Sequence, residues 1–289
     1  MVIEARESGP FSINVAGEGE FEIPTDRRNL VAVAAEKLLG RLPDLTVNIR
    51  NGIPACGGFG ASGAAIIGGL LLANELREKK LASEELYDLA IQLEGHPDNV
   101  SAALFGGLVI NARNPGGRYS HLRVDVDPKL KFVAILPDVK IETESARRIL
   151  PKTVTLSDAV TNVQHAALLV GAFVAGDYSL IGKSIYDELH EKHRKKLIPY
   201  YDEFRSIALD SGALAFTISG AGSGCIAFCL GGHEKVLTAF RENIRAMNLN
   251  WRAEVLEAVN KGAELTHDGA RPDERFSIGA PRLESSEPN

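Results

Sequence analysis

With 289 residues, 45% of them hydrophobic and 24% charged, the chain is long enough for two ordinary domains whose cores need no disulfide staples. A formal net charge of −6 argues against nucleic acid as a standing partner, because binding a phosphate backbone needs clustered Lys and Arg. The three cysteines, Cys56, Cys225 and Cys229, are odd in number and form no C-x-x-C pair, which points to a reducing, cytoplasmic compartment. The opening residues show no basic n-region, apolar h-region or cleavage site. The longest apolar stretch, around 64–73, is too short to span a bilayer, so no membrane association is expected.

In chain order, Thr25 and Asp26 after Pro24 predict the cap of a helix whose Leu30, Val31, Ala34, Leu38 and Leu39 share one face and which Gly40 stops. A strand at 45–50 leads through a glycine-rich loop into an apolar helix over 62–78. A second helix, opened by Ser83, ends near Glu94, and a strand follows at 108–111. The stretch 114–120, with Pro115, Gly116 and Gly117, is either a domain boundary or a hairpin turn within the first domain. The second half reads as a strand at 131–137, helices at 143–150, 155–175, 178–188 and 200–211, short strands at 217–219 and 225–230, a helix at 232–247 and a last strand at 252–259. Strand-helix-strand-strand-helix-strand order predicts a ferredoxin-like sandwich. The expected division is 1–125, 126–265, and a disordered tail at 266–289, where Pro, Glu, Ser, Asp and Gly dominate. There is no internal repeat.

The glycine-rich loop is the most informative segment. In GIPACGGFGASGAAII (52–67), Gly57, Gly58 and Gly60 let the backbone take positive φ and approach a ligand closely. The first turn of the following helix adds unpaired N–H groups and about half a positive charge, which together suit a phosphate. It is no Walker loop, because Gly60 is followed by Ala61 and Ser62 rather than Lys and Ser or Thr. Taken alone, the same stretch reads equally as a turn that packs a helix against a strand.

A second loop, EGHPDN (94–99), crowds acidic, imidazole and amide groups together. Glu94 suits Mg2+, which takes few carboxylates when phosphates supply the other oxygens. His96 and Asn99 suit a polar substrate. Each residue also has an ordinary turn role: Gly95 as a helix C-cap, Pro97 at a new first position, Asp98 bonding local backbone.

The two loops in this order resemble the GHMP small-molecule kinases, and among them the homoserine kinase family. The second motif of that superfamily, P-x-x-x-G-L-G-S-S-A, is matched by Pro54, Ala55, Cys56, Gly57, Gly58, Phe59, Gly60, Ala61, Ser62 and Gly63, followed by Ala64. Ala61 replaces the first serine. HPDN, TESARRILP (143–151) and HEKHRKKLIP (190–199) narrow the match to homoserine kinases. TISGAGSGCIAF (217–228) resembles the third motif, with Ser223 where proline is usual, a change expected to loosen the loop.

The resemblance implies an α+β, two-domain GHMP kinase fold, with an N-terminal nucleotide-binding domain and a C-terminal ferredoxin-like α/β sandwich. It implies ATP-dependent phosphorylation of L-homoserine to O-phospho-L-homoserine on the path to threonine, with ATP and Mg2+ as cofactors and a homodimer as an expected assembly. The nucleotide falls to residues 54–64 and the metal to Ser62 and Glu94. The substrate falls to His96, Asn99, Thr143, Arg147, Arg194, Gly220 and Gly222, with Glu94, Ser62 and Arg194 at the chemistry. Two arginines suit a substrate carboxylate through their planar, bidentate fork. No general base is assigned, Asp98 being the acidic group of that loop.

The family's first motif, P-A-T-S-A-N-L-G-P-G-F-D, has no counterpart in this chain, whose opening residues resemble what normally follows it. A start codon placed too far downstream is the expected reason, against a truncated gene or a paralogue that has lost activity. The alternatives in function are another GHMP kinase acting on a different small alcohol, or a catalytically impaired nucleotide-binding relative.

Overall fold

The computed structural model describes residues 1–7, 9–54, 57–267 and 276–279. The chain forms two compact units. The first takes residues 1–53, 60–125 and the described residues from 259 onward; the second takes 54–59 and 126–258.

The first unit opens with β1 (Val2–Glu7), β2 (Ser12–Gly17), α1 (Leu30–Leu39) and β3 (Leu45–Asn51). β3 pairs antiparallel with β1 and parallel with β2, placing Val2 opposite Arg50 and Ile13 opposite Val47. In β3 every second residue, Leu45, Val47, Ile49 and Asn51, is buried, as the strand period requires. The cap of α1 is Asn29, whose side chain accepts the Val31 N–H at 2.9 Å and donates to the Pro24 carbonyl at 2.7 Å. Thr25 and Asp26, expected as the cap, precede it; Asp26 pairs with Arg28 at 2.8 Å instead. Gly40 ends α1 in the left-handed region, as expected.

Next come α2 (Ala61–Glu75), α3 (Ser83–Glu94), α4 (Asp98–Phe105) and the hairpin of β4 (Leu108–Arg113) and β5 (Tyr119–Val124). The 114–118 stretch is the hairpin turn, closed by the Asn114 N–H on the Arg118 carbonyl at 2.8 Å. α2 is apolar on all sides because it is enclosed on all sides. Ile66, Ile67 and Leu70 pack with Leu86, Tyr87 and Ala90 of α3 and Val100 and Leu104 of α4, while Leu72 joins Val31, Val47 and Ile49. Each such side chain contributes about 1.5–3 kcal/mol by leaving water. The helix stops short of the expected residue 78 because the Asn74 side chain turns to bond both the N–H and the carbonyl of Leu81.

The second unit contains β6 (Leu130–Leu136), α5 (Thr143–Arg148), α6 (Leu156–Ala175), α7 (Ile181–Ser184), α8 (Glu191–Arg194), α9 (Tyr201–Asp210), β7 (Ala215–Ile218), β8 (Cys225–Leu230), α10 (His233–Ala246) and β9 (Arg252–Glu257). Its sheet runs β7-β8-β6-β9, antiparallel throughout. Phe204 of α9 and Phe240 of α10 pack with Val133, Ile135 and Phe216 of the sheet. This is the ferredoxin-like order expected from the sequence. The helix expected over 178–188 is replaced by a short 3-10 turn at Tyr178–Leu180 and by α7. Asp187 breaks it, since its carboxylate accepts the N–H groups of Leu189 and His190 and turns the chain.

The chain then returns to the first unit as β10 (Glu264–His267) and β11 (Phe276–Gly279), giving the sheet order β10-β11-β1-β3-β2. Part of the segment expected as a disordered tail is therefore strand, with Ile278 opposite Ile3. Its polar average composition hid two short alternating stretches, ELTH and FSIG, of which FSIG pairs with β1 and ELTH with FSIG. Residues 268–275 and 280–289 of that expected tail lie outside the described residues.

Candidate active site

In the first unit the candidate site residues gather around the start of α2. Gly60, with φ of 76°, is the N-cap and supplies no side-chain bond, so the N–H groups of the first turn keep their capacity for an acceptor. Ser62 in that turn donates its hydroxyl to Glu94 Oε1 at 2.6 Å. Glu94 is the last residue of α3, and its side chain is only 7% exposed. His96 Nε2 lies 3.9 Å from the same carboxylate oxygen, while His96 Nδ1 bonds Asp98. Asp98 is 69% exposed and thus engaged locally.

Asn99, in the first turn of α4, completes this group. A Cβ on Gly63 would stand 2.8 Å from Asn99 Cβ and 2.9 Å from the Asn99 carbonyl carbon, so the two helix starts meet this closely only because residue 63 is glycine. The start of α4 is also braced from behind. Ser101 Oγ donates to the Asp98 carbonyl, Asn111 donates to Ser101 Oγ at 2.9 Å, and Tyr87 donates to Asn111 at 2.6 Å. Burial pushes the Tyr87 hydroxyl up to about 12, which keeps it a donor. Sequence reading missed this brace, because Tyr87 and Asn111 stand in ordinary helix and strand patterns.

In the second unit, the described residues of 54–59 lie against the third glycine loop. Ser219 Oγ donates to the Gly58 carbonyl at 2.9 Å, and the Gly224 N–H donates to the Gly57 carbonyl at 3.1 Å. Gly58 has φ of 76°, and a Cβ there would stand 2.0 Å from the Ser219 carbonyl oxygen. The described residues of 54–59 thus fall in the second unit, which departs from the expected division at 1–125. Ser223 does not loosen its loop as the missing proline suggested. It is 2% exposed and donates to the Val139 carbonyl at 2.5 Å.

Arg194, at the end of α8, donates to the carbonyls of Gly220 at 3.0 Å and Ala146 at 3.3 Å, joining α5 to the glycine loop. Arg147, one residue beyond Ala146, is exposed. Gly222 lies among Ile141, Ile198 and Ile218. Two acidic residues outside the expected set hold α8 in place. Glu191 accepts the Thr217 hydroxyl at 3.1 Å, and Asp187 bonds His190 Nε2 at 2.6 Å and the Asn162 amide at 3.2 Å. Burial alone would raise the Asp187 carboxyl, but the His190 ring and two backbone N–H groups outweigh it and hold the group well below its ordinary range. Thr143 begins α5 by its backbone, and its side chain, like Ala55 and Cys56, lies outside the described residues.

Cys225 and Cys229 are buried free thiols, and burial raises both, Cys229 to about 11. No helix among the described residues is long and apolar enough to cross a membrane.

Comparison with known proteins identifies the family of the chain. The family pattern "GHMP kinases N terminal domain" matches residues 29–107, and "GHMP kinases C terminal" matches 169–246. The homoserine kinase of Moorella thermoacetica is 37% identical over 265 residues, covering 90% of this chain and 89% of that one. The homoserine kinase of Caldicellulosiruptor bescii is 37% identical over 270 residues, covering 91% and 88%. The crystal structure of homoserine kinase from Cytophaga hutchinsonii is 28% identical with a TM-score of 0.79, covering 90% of this chain and 86% of that one. L. major mevalonate kinase, 14% identical with a TM-score of 0.63 over 89% of this chain and 85% of that one, shares the fold. A two-unit fold, a capless glycine turn before α2 and relatives that match along nine-tenths of the chain have one consistent reading: this chain belongs to the homoserine kinase family of the GHMP kinases.

Proposed function

We propose that this chain transfers the γ-phosphoryl group of ATP to the side-chain hydroxyl of L-homoserine, giving O-phospho-L-homoserine and ADP for threonine synthesis. The observation that carries this reading is the Ser62–Glu94 pair, 2.6 Å apart at the uncapped start of α2. A phosphate accepts hydrogen bonds from such a helix start without a basic side chain, and the helix dipole favours its charge.

Ser62 and Glu94 also fit Mg2+. Both offer hard oxygens, and no cluster of three or more His, Cys, Asp or Glu occurs among the described residues, as suits an ion that keeps its waters and takes phosphate oxygens. When bound there, Mg2+ supplies positive charge to the phosphate oxygens. Glu94, 7% exposed, is held in place by α3 and by the Ser62 hydroxyl.

The substrate hydroxyl attacks the γ-phosphorus as the bond to the bridging oxygen of ADP breaks. Phosphoryl transfer of this kind depends on positioning and charge stabilisation more than on a protein nucleophile. We assign His96, Asn99, Thr143, Arg147, Arg194, Gly220 and Gly222 to the amino acid, with Arg147 and Arg194 on its carboxylate, and residues 54–64 to the nucleotide. The hydroxyl proton is released to solvent, and no residue is assigned to accept it.

The test is coupled detection of ADP release with ATP, Mg2+ and L-homoserine, run beside L-serine and mevalonate. ADP formation that depends on homoserine supports the reading. ADP formation only with another alcohol gives the chain to a different GHMP kinase activity, and none with any alcohol overturns catalysis.

A further inference from the structure

Three elements of the first unit contribute one polar side chain each to a relay of hydrogen bonds. Tyr87 of α3 donates its hydroxyl to Asn111 Oδ1 at 2.6 Å, Asn111 of β4 donates to Ser101 Oγ at 2.9 Å, and Ser101 of α4 donates to the Asp98 carbonyl at 3.0 Å. Tyr87 and Ser101 are 1 and 0% exposed. The tyrosine ring meets Phe105 and His121 edge-on, at 5.3 Å each. The relay runs in one direction. An amide oxygen only accepts and an amide nitrogen only donates, so the Tyr87 hydroxyl on Oδ1 keeps Nδ2 toward Ser101, and the Ser101 proton is left for Asp98. That last acceptor belongs to the peptide group joining Asp98 to Asn99. The Asp98 carboxylate bonds His96 Nδ1, and Asn99 Oδ1 stands 3.2 Å from where a Cβ on Gly60 would lie. Both His96 and Asn99 therefore depend on how Asp98 is held, and Asn99 sits so close to the start of α2 that a small shift has no slack to disappear into.

We propose that Tyr87 is a positioning residue for the substrate: through Asn111 and Ser101 it sets the orientation of the 98–99 peptide, and with it the placement of His96 and Asn99 against the amino acid. The inference rests on the reading that His96 and Asn99 contact the amino acid. Without the tyrosine hydroxyl, Asn111 Oδ1 loses the donor that fixes it and the amide is free to turn over. Its oxygen then takes the Ser101 proton, and the Asp98 carbonyl loses its side-chain bond. The Ser62–Glu94 bond joins α2 to α3 directly, so the nucleotide end of the site keeps its support when the relay is cut. Broken at Tyr87, the relay should thus weaken the hold on the amino acid and leave the hold on ATP.

The test is Tyr87→Phe, which keeps the ring and removes one oxygen, with Ser101→Ala as the second variant and the full chain throughout. In the ligand-free protein, NMR follows the side-chain amide of Asn99, whose signals should shift in both variants. In coupled assays, KM for L-homoserine should rise about three- to tenfold, the worth of one net hydrogen bond, at unaltered KM for ATP. The double variant should be no worse than the worse single one, because both cut the same relay. Should Tyr87→Phe fail to fold, Ser101→Ala carries the same two readouts. Unmoved Asn99 signals overturn the inference, as does a melting temperature that falls while KM for homoserine stays put, the result expected if the relay only satisfies buried polar groups. Losses that add in the double variant overturn it as well. Failure of the underlying reading looks different: Asn99 signals that move in a protein whose unaltered form leaves homoserine unphosphorylated overturn the assignment of the amino acid to this turn.

Discussion

Ser62 and Glu94 stand 32 residues apart in the chain and share a hydrogen bond of 2.6 Å, the serine in the first turn of α2 and the glutamate at the last residue of α3. The glutamate side chain is nearly enclosed, so its position is fixed by the fold. Replacing it by Gln keeps the size and a hydrogen-bonding oxygen but removes the negative charge. Turnover at saturating Mg2+ is expected to fall at least about a hundredfold, or about 2.7 kcal/mol of transition-state stabilisation. Binding of metal-free ATP, followed by calorimetry, should change little. Unaltered turnover in Glu94→Gln removes this residue from the metal site.

Arg147 and Arg194 are expected to respond differently to Lys. Arg194 donates to two carbonyls, Gly220 and Ala146, so Arg194→Lys loses bidentate geometry within the protein as well as toward substrate. It should lower the melting temperature, by about 1–2 kcal/mol of stability, and raise KM for homoserine. Arg147 is exposed, so Arg147→Lys should raise KM for homoserine at unaltered melting temperature. Equal effects of Arg147→Lys on KM for ATP and homoserine would argue against carboxylate recognition.

Much of this was legible in the sequence, for identifiable reasons. The glycine loop announces itself because its backbone conformations exclude side chains: Gly58 and Gly60 both sit at φ of 76°. The ferredoxin-like unit was readable because β6 is a short apolar run, β8 alternates buried with part-buried residues, and the strands are interleaved with helices in a recognisable order. The cap of α1 was misplaced because Pro24 draws attention to the residues after it, whereas Asn29 uses both ends of its amide, one on Pro24 and one on Val31. The supports of the site were illegible. Asp187 and Glu191 look like members of a solvated charged run, and only the fold brings Asn162 and Thr217 to them. The return of the chain as β10 and β11 was hidden for the same reason, since a short strand gains its stability from a partner, β1, more than 250 residues away in the case of β11.

Asp187 makes stability depend on pH in a stated direction. Its folded carboxyl is held below the ordinary value of 3.8, so ionisation is easier in the folded chain than in the unfolded one. The stability it contributes is fully present above about pH 4 to 5 and is lost as pH falls toward the depressed folded value. Asp187→Asn should therefore destabilise the protein at pH 7, and the gap to the unaltered chain should narrow as pH falls below about 4. Urea unfolding at pH 7, 5 and 3.5 measures this. A gap that stays constant across that range would show that the carboxylate charge is not what holds α8.

Ser223 stands where the family's third motif usually has proline, and its hydroxyl has become part of the loop's support. The side chain is 2% exposed and donates to the Val139 carbonyl at 2.5 Å. Ser223→Ala removes that part-buried hydrogen bond, at a cost of about 0.5–1.5 kcal/mol. The loop it holds also carries the Ser219 and Gly224 bonds to Gly58 and Gly57, so the damage should spread to those two glycines. Two readouts separate this from a catalytic role. Denaturant unfolding should show the loss of stability at unchanged m-value. Hydrogen exchange at the Gly224 amide should speed up, because its acceptor, the Gly57 carbonyl, is held less firmly. Turnover should fall modestly, since the backbone N–H groups of residues 220–224 survive the change. A stability equal to that of the unaltered chain would mean that the loop holds its shape without the hydroxyl, and that the serine at this position is incidental.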